Sequence, residues 1–401
     1  MCSALATCDE TVSISPNRAS RPGSDLQTAA PLFAHLYIDG LFASVERSLR
    51  PKFRGRPVFV VTSSKSGSED APTILSTSYE AKLLGVSVGI SLEDALAVCP
   101  QAAVVPCRFP LYAEYAESVR AVLDGFSSAV QPDSSDGFYI DLSGVADMRS
   151  LDGDFSGTLR RLQLEILKRT GLSASIGAAK TRVAAAVASR LERPRGLRIV
   201  AAGTEATWLA TLPVEALHGI NQIDAKNLRR RGVRSIAELR RVPLASLQGI
   251  YGQSTGRQIW ENSRGLDQTV PKSNAATPSL SREFTFGPAS ASVGAAIFHA
   301  VCEYLSTRLS FALAYAHSEA RTIALRIRYA DQFSASQSLR LSDFPSLPSA
   351  DPASLVIHCQ NLLRSLLTRP IAVQSIAVSV ATISAASNSS PALESILAAT
   401  A

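Results

Sequence analysis

Apolar residues in the first half of the chain fall into short runs separated by polar turns. Residues 32–39 (Leu-Phe-Ala-His-Leu-Tyr-Ile-Asp) form a nearly continuous run. Beyond Gly40 the apolar positions recur at helical spacing to about Leu49. This predicts a buried strand feeding a helix, because a strand covered on both faces need not alternate. Residues 57–62 and 73–78 predict two more strands, the second leading into a helix from about Glu80. Residues 92–98 predict a helix, 103–106 a short strand and 112–126 a long amphipathic helix. A strand at 138–142 follows the polar turn Asp-Ser-Ser-Asp-Gly that starts at Asp133. Helix 159–170, strand 174–178 and helix 183–190 come next. Strands alternating with helices predict a mixed α/β sheet.

From Arg190 to about Asp267 the pattern changes to short helical stretches broken by Pro194, Gly196, Pro213, Gly219, Gly232, Pro243 and Gly249. This predicts a small, basic, all-helical domain. Residues 269–277 carry a proline and polar residues and predict a linker. The remainder predicts strand 281–286, helix 290–309 with Ser290 as its N-cap, strands 321–329 and 334–341, helix 352–367 and strand 371–382. The order β-α-β-β-α-β makes four strands with two helices on one face. In the second of those strands Ile323, Leu325, Ile327 and Tyr329 alternate with Thr322, Ala324, Arg326 and Arg328. With Arg340 of the next strand, the open face is polar and basic and suits phosphate oxygens. A soluble, open sheet face is the plainer reading of the same pattern.

The 401 residues leave room for about two to four domains. A 46 % share of hydrophobic residues against 18 % charged ones supports a sizeable core. No apolar run approaches the roughly 18 residues that span a bilayer, which argues against a membrane partner. Residues 1–30, rich in Ser, Thr, Pro and Ala without a signal-type apolar stretch, read as a disordered leader of a cytoplasmic protein. Residues 383–401 read as a flexible tail. The six cysteines form no C-x-x-C pair and the five histidines do not cluster with them, so ordinary reduced thiols are expected rather than a zinc site or a disulfide framework. The net charge of +6 is unevenly spread: 13 Lys or Arg face 5 Asp or Glu between Lys180 and Arg241. So concentrated a basic segment points to a polyanionic partner, most often nucleic acid, although a solvated helical face has the same look.

Six ordered motifs carry a resemblance. They are the run from His35 to Glu46 (His-Leu-Tyr-Ile-Asp-Gly-Leu-Phe-Ala-Ser-Val-Glu), that from Ser76 to Val86 (Ser-Thr-Ser-Tyr-Glu-Ala-Lys-Leu-Leu-Gly-Val), and that from Pro132 to Asp141. Ser175 to Ser189 follows, then Arg193-Pro-Arg-Gly196 with Leu212-Pro213 and the stretch from Ile259 to Asp267. Ser281 to Phe286 is the last. Together they resemble the Y-family (translesion, UmuC/DinB-like) DNA polymerases over about residues 31–382. The resemblance implies an α/β (α+β) right hand: a palm at 31–190 with fingers inserted at about 43–107, a helical thumb at 191–268, a linker at 269–280 and a little finger at 281–382.

Polymerases of this kind use two Mg²⁺ ions, hard cations that take oxygen ligands, to activate the primer hydroxyl and stabilise the leaving pyrophosphate. The family places one Asp in the first motif and an Asp-Glu pair in the second. Here Tyr37 stands at the first position, Asp136 is kept, and Gly137 replaces the Glu. Asp39, two residues beyond Tyr37, shares its strand face if the strand persists that far, and with Asp136 could hold one metal. The alternative is that both carboxylates simply hydrogen-bond nearby turns. Mg²⁺ is therefore the expected cofactor of an active enzyme, and no cofactor that of an inactive one.

The resemblance further implies that Tyr79, Lys82 and Arg182 contact a triphosphate, Lys82 without the fork an Arg would offer. It makes Phe42 the steric gate against a ribose 2′-hydroxyl. The alternatives are surface charges and a core aromatic. In the thumb, Gly219 remains of a phosphate-binding Gly-x-Gly turn whose second Gly is Asn221, and Lys226, Arg229, Arg230 and Arg231 follow on the next helix. Two functions stay open. One is a catalytically impaired accessory that binds primer–template or damaged DNA in repair, as inactive mutasome members do, with another polymerase or the sliding clamp as protein partners. The other is an active error-prone translesion polymerase with an altered metal site.

Overall fold

Five of the six side chains of strand β1 (Phe33–Ile38) are buried, which accounts for its nearly unbroken apolar sequence: it is the central strand of a sheet covered on both faces. The computed structural model describes residues 33–62, 72–133, 136–142, 155–217, 220, 222–266, 279–286, 295–315, 318–331, 333–341, 352–381 and 384–385. All of them belong to the unit Pro31–Ala401. The leader expected at 1–30, most of the linker and tail, the N-cap Ser290, Gly219 and Asn221 lie outside the described residues.

After β1, Gly40 takes a left-handed conformation (φ 59°) that turns the chain into α1 (Leu41–Leu49). The chain then leaves the first sheet. Strands β2 (Val58–Val61) and β3 (Ile74–Thr77), helices α2 (Tyr79–Leu83) and α3 (Leu92–Val98), and strand β4 (Ala103–Pro106) build a separate sheet of order β3-β2-β4. Its own small core includes Phe59, Ile74, Ala81, Val86 and Ala95. Helix α4 (Phe109–Asp124) starts three residues earlier than its apolar spacing predicts, because Pro110 fits the first turn, where a missing N–H costs nothing. Strands β5 (Val130–Pro132) and β6 (Gly137–Asp141), helix α5 (Phe155–Thr170), strand β7 (Ala174–Ala179), helix α6 (Arg182–Leu191) and strand β8 (Leu197–Ile199) complete the first sheet, of order β5-β6-β1-β7-β8. All its pairs are antiparallel except β7 with β8. The sequence pattern does not predict β5 and β8, which are three-residue edge strands too short to show a period.

Ala34, Leu36, Ile38, Phe138 and Ile140 point into a core shared with α4 and α5. On the other face α6 lies directly on β7: a Cβ at Gly177 would collide with the backbone of Ala185 and Ser189. The basic segment folds as α7 (Glu205–Ala210), α8 (Gln222–Arg230), α9 (Ile236–Leu239), α10 (Leu244–Tyr251) and α11 (Gln253–Ser263). Ser235 and Glu238 form a capping box at the start of α9. Leu209, Leu217, Leu228, Leu239 and Ile259 join Val183 and Val187 of α6 in one core, so these helices are anchored on the sheet's second face.

The C-terminal part has the expected β-α-β-β-α-β order. Its elements are β9 (Ser279–Thr285), α12 (Ala295–Tyr315), β10 (Ser318–Glu319), β11 (Thr322–Tyr329), β12 (Ser334–Arg340), α13 (Pro352–Leu366), β13 (Val373–Ala381) and β14 (Ser384–Ala385). Four of the strands pair in the order β12-β11-β13-β9, and β10 pairs only with β14. Helix α12 runs six residues past its expected end because Ala312, Leu313 and Ala314 continue its buried face. It packs against α1 and α4 of the first part: Tyr304 meets Phe42 of α1 edge-on at 4.8 Å, and the fully buried Arg308 pairs with Glu117 of α4 at 3.4 Å. The two parts therefore share one apolar core. Among the described residues no helix is long and apolar enough to cross a membrane.

Candidate functional site

The register of the first sheet decides what stands beside Asp136. Tyr37 of β1 is the direct partner of Gly137 on one side and of Ser175 on the other, so these three residues share a face. The Tyr37 hydroxyl hydrogen-bonds the Asp136 carboxylate. Burial first, and the Asp136 charge second, push its proton affinity well above that of an ordinary phenol. Over the ring of Tyr37 lies the guanidinium of Arg193, its central carbon 3.0 Å from the ring centroid. Two residues away on the same face, His35 is held between Ser189 (2.7 Å) and Asp133 (3.2 Å).

Asp39 does not continue that face. Strand β1 ends at Ile38, and Asp39 sits in the turn with 1 % of its surface exposed. Its Oδ1 accepts from the Ser175 hydroxyl and its Oδ2 from the Arg195 backbone N–H, both at 2.8 Å. The Tyr79 hydroxyl also bonds it. Arg195 reaches this position with φ 59°, unusual for a residue with a side chain. Desolvation outweighs these bonds and raises the Asp39 carboxyl above its ordinary value of 3.8. The expectation of a strand-borne carboxylate beside Tyr37 is thus corrected: this carboxylate ties the end of β1 to β7 and to the turn before β8. Among the described residues no group of three or more His, Cys, Asp or Glu side chains could hold a metal ion.

The face bearing Tyr37 opens on a cleft of about 1080 Å³ whose walls come from every part of the fold. Lys82, Arg190, Arg193, Arg326 and Arg328 line it against Asp133, Asp136 and Glu283, an excess of positive charge. Phe42 lines it too. Its ring is held from behind, stacked on Tyr112 at 4.6 Å and met by Tyr304, so it is both a core aromatic and a wall of the cleft. Tyr112 in turn donates to Glu46, a fully buried carboxylate that also pairs with Arg50 and Arg108. Lys82 stands 4.8 Å over the Tyr79 ring. Desolvation first, and Arg193 second, lower its pKa. The Arg182 guanidinium packs over the Tyr139 ring at 4.0 Å, and neither Arg182 nor Tyr79 is among the residues lining the cleft.

Lys226, Arg229, Arg230 and Arg231 are exposed at the end of α8 while Ala225 and Leu228 anchor the helix. Arg229 pairs with Glu215. None of the four lines the cleft. On the C-terminal sheet the register puts Arg326, Arg328 and Arg340 on one open face. That face is less purely basic than its sequence suggests, because Arg326 pairs with Glu283 at 3.6 Å. Sequence reasoning missed Arg190 and Arg193 as parts of the site. Arg193 was visible only as the first residue of a boundary motif, and no local spacing says that its side chain turns back onto β1.

The chain resembles known proteins over most of its length. The impB/mucB/samB family matches residues 36–190 and the impB/mucB/samB family C-terminal domain matches residues 277–393. The DNA polymerase-iota thumb domain matches residues 216–267. A DNA polymerase IV of Alkalilimnicola ehrlichii is 33 % identical over 63 % of this chain and 69 % of its own length. One from Dehalococcoides mccartyi is 30 % identical over 74 % of each. Among solved structures, an insertion ternary complex of Dbh DNA polymerase superimposes with a TM-score of 0.59 at 20 % identity, covering 88 % of this chain and 99 % of that one. DinB from Sulfolobus solfataricus does so with 0.59 at 19 % identity, covering 89 % and 100 %.

Proposed function

The chain belongs to the Y-family DNA polymerases, the impB/mucB/samB family, and from that premise we propose that it is a DNA-binding member whose own nucleotidyl transfer is impaired. Its fold is the family's right hand: the first sheet is the palm, the three-stranded insert the fingers, α7–α11 the thumb and the C-terminal sheet the little finger. We place the limits of these parts near residues 31–190, 191–268 and 281–382. The partner is DNA, primer–template or damaged, and the role is in damage tolerance beside an active polymerase.

One observation carries this reading. Where Y-family enzymes gather three carboxylates around two Mg²⁺ ions, the positions beside Asp136 are a phenol and a bare glycine in direct register. The phenol already donates to Asp136, and Asp39 has both oxygens engaged by Ser175 and Arg195. A guanidinium stands next to that phenol. This donor set does not fit a pair of hard divalent cations, which need several oxygen ligands each. DNA binding is supported by the exposed cations of α8 and by Arg326, Arg328 and Arg340 on the open little-finger sheet, groups suited to phosphate oxygens.

The test is primer extension by the purified protein with Mg²⁺ and with Mn²⁺, beside Asp136→Ala and a Tyr37→Asp/Gly137→Glu double variant. The expected result is extension by the double variant alone, with DNA affinity equal in all of them. Extension by the wild type that Asp136→Ala abolishes would overturn the reading and make the protein an active polymerase with an altered metal site.

A further inference from the structure

Helix α12 packs on both α4 and β9, and three arginines are buried where they meet. Arg308 of α12 is fully enclosed and pairs with Glu117 of α4. Arg120 of α4, 6 % exposed, pairs with the same Glu117 at 3.1 Å and with Asp124 at 3.5 Å. The third is Arg282 of β9, which stands opposite the buried Val378 of β13, on the apolar side of that sheet. Only 5 % of Arg282 is exposed, and among the described residues no carboxylate pairs with it. Its Nη1 donates to the Ser281 carbonyl at 3.0 Å, and its Nε is buried with no hydrogen-bond partner. Burial first, and Arg308 second, push its pKa down to about 10, so it stays charged at neutral pH. A charge taken out of water needs a counter-charge. A water molecule would fill the Nε bond and leave the charge uncompensated. Among these residues three guanidiniums share two carboxylates, and the positive charge left over falls on Arg282.

We infer that Arg282 and Arg308 hold one small monovalent anion of the halide class at the junction of the little finger and the palm. The single excess charge sets its valence. The enclosed position sets its size: neither arginine lines the cleft, so the site takes a bare ion rather than a phosphate ester. The ion accepts from the Arg282 Nε and is drawn by the Arg308 charge beside it. No bond is made or broken. The consequence is mechanical. Arg282 and Arg308 belong to the C-terminal part and Glu117 and Arg120 to α4 of the first, so an occupied site removes the repulsion that would otherwise oppose their docking. The inference does not depend on what the palm does with DNA.

The experiment is thermal unfolding of the full chain in a potassium chloride series held at constant ionic strength with potassium gluconate, an anion too large for an enclosed site. Tm is expected to rise with the logarithm of chloride concentration, by roughly 1–3 °C for each tenfold step once the site begins to fill. Bromide should reproduce the rise. Arg282→Met keeps a long apolar stem on the helix side of β9 and removes the charge, and it should abolish the response. Equal Tm values in chloride and gluconate overturn the inference. So does an Arg282→Met protein that responds to chloride as the wild type does, because the ion would then act elsewhere, for example on the basic thumb. The second measurement needs no variant: wild-type crystals grown in bromide should show an anomalous peak within hydrogen-bond distance of the Arg282 Nε. Bromide found only at surface cations overturns the inference, and this result decides the matter if Arg282→Met does not fold.

Discussion

Tyr37 and Gly137 face each other directly across β1 and β6. The two departures from the family's carboxylate pattern are therefore neighbours in space, although 100 residues separate them in the chain. Directly opposed side chains on one face of an antiparallel pair lie within about 5 Å of each other. A long acidic side chain at 137 would compete with the Tyr37 ring for room and stand beside Asp136. The bare glycine leaves that room to the phenol and to the guanidinium above it.

The two positions should accordingly be coupled. Gly137→Glu alone is expected to cost about 2 kcal/mol of stability, through crowding against the Tyr37 ring. In a Tyr37→Asp background the same change should cost measurably less. A double-mutant cycle by urea unfolding reads the coupling, with about 0.5–3 kcal/mol expected for neighbouring residues that touch. Additive costs would mean that the ring and the glycine do not share space.

Asp39 gives a pH signature. Its carboxyl is raised above 3.8, chiefly by desolvation, so between 3.8 and its folded value the native state holds a proton that the unfolded chain has already released. Stability contributed by this group is therefore full at acid pH and is lost as pH rises through that interval. Asp39→Asn should remove this dependence. It should also cost about 1–3 kcal/mol at neutral pH, because the Arg195 N–H or the Ser175 hydroxyl loses an acceptor. Melting temperature against pH for the two proteins is the measurement. Parallel curves would show that Asp39 does not titrate differently on folding.

Tyr304 joins the little finger to the palm by packing on Phe42 and Phe109. Tyr304→Ala should cost about 3–5 kcal/mol, as aromatic truncation in a packed core does. Glu117→Gln, which leaves Arg308 buried without its carboxylate, should cost roughly 3–5 kcal/mol. Hydrogen exchange should then rise in both α4 and α12, since their core is shared. Faster exchange confined to α12 would show that the two parts are not mechanically coupled.

The exposed cations of α8 should act through phosphate. Replacing Lys226, Arg230 and Arg231 by Ala should weaken binding of any DNA sequence about equally. It should also flatten the slope of log affinity against log salt by roughly one for each phosphate that the helix no longer neutralises. Filter binding over a salt series reads it. An unchanged slope would remove α8 from the DNA interface.

Much of this architecture was legible in the chain. The run of β1, the alternation in β11 and the β-α-β-β-α-β order of the little finger are local patterns, because a strand's period of two and a helix's 3.6 place each residue on a face within its own element. Composition likewise located the basic thumb. Short edge strands such as β5 and β8 carry too few residues for a period and emerged only on pairing. What lies across elements was settled by tertiary structure alone. Register set Tyr37 against Gly137. The end of β1 at Ile38 turned Asp39 away from the cleft toward Ser175 and Arg195. The crossover after α6 carried Arg193 back over β1, and the docking of α12 on α4 placed Tyr304 against Phe42. Each of these meetings joins residues far apart in sequence and depends on how whole elements cross and pack, which no local spacing encodes.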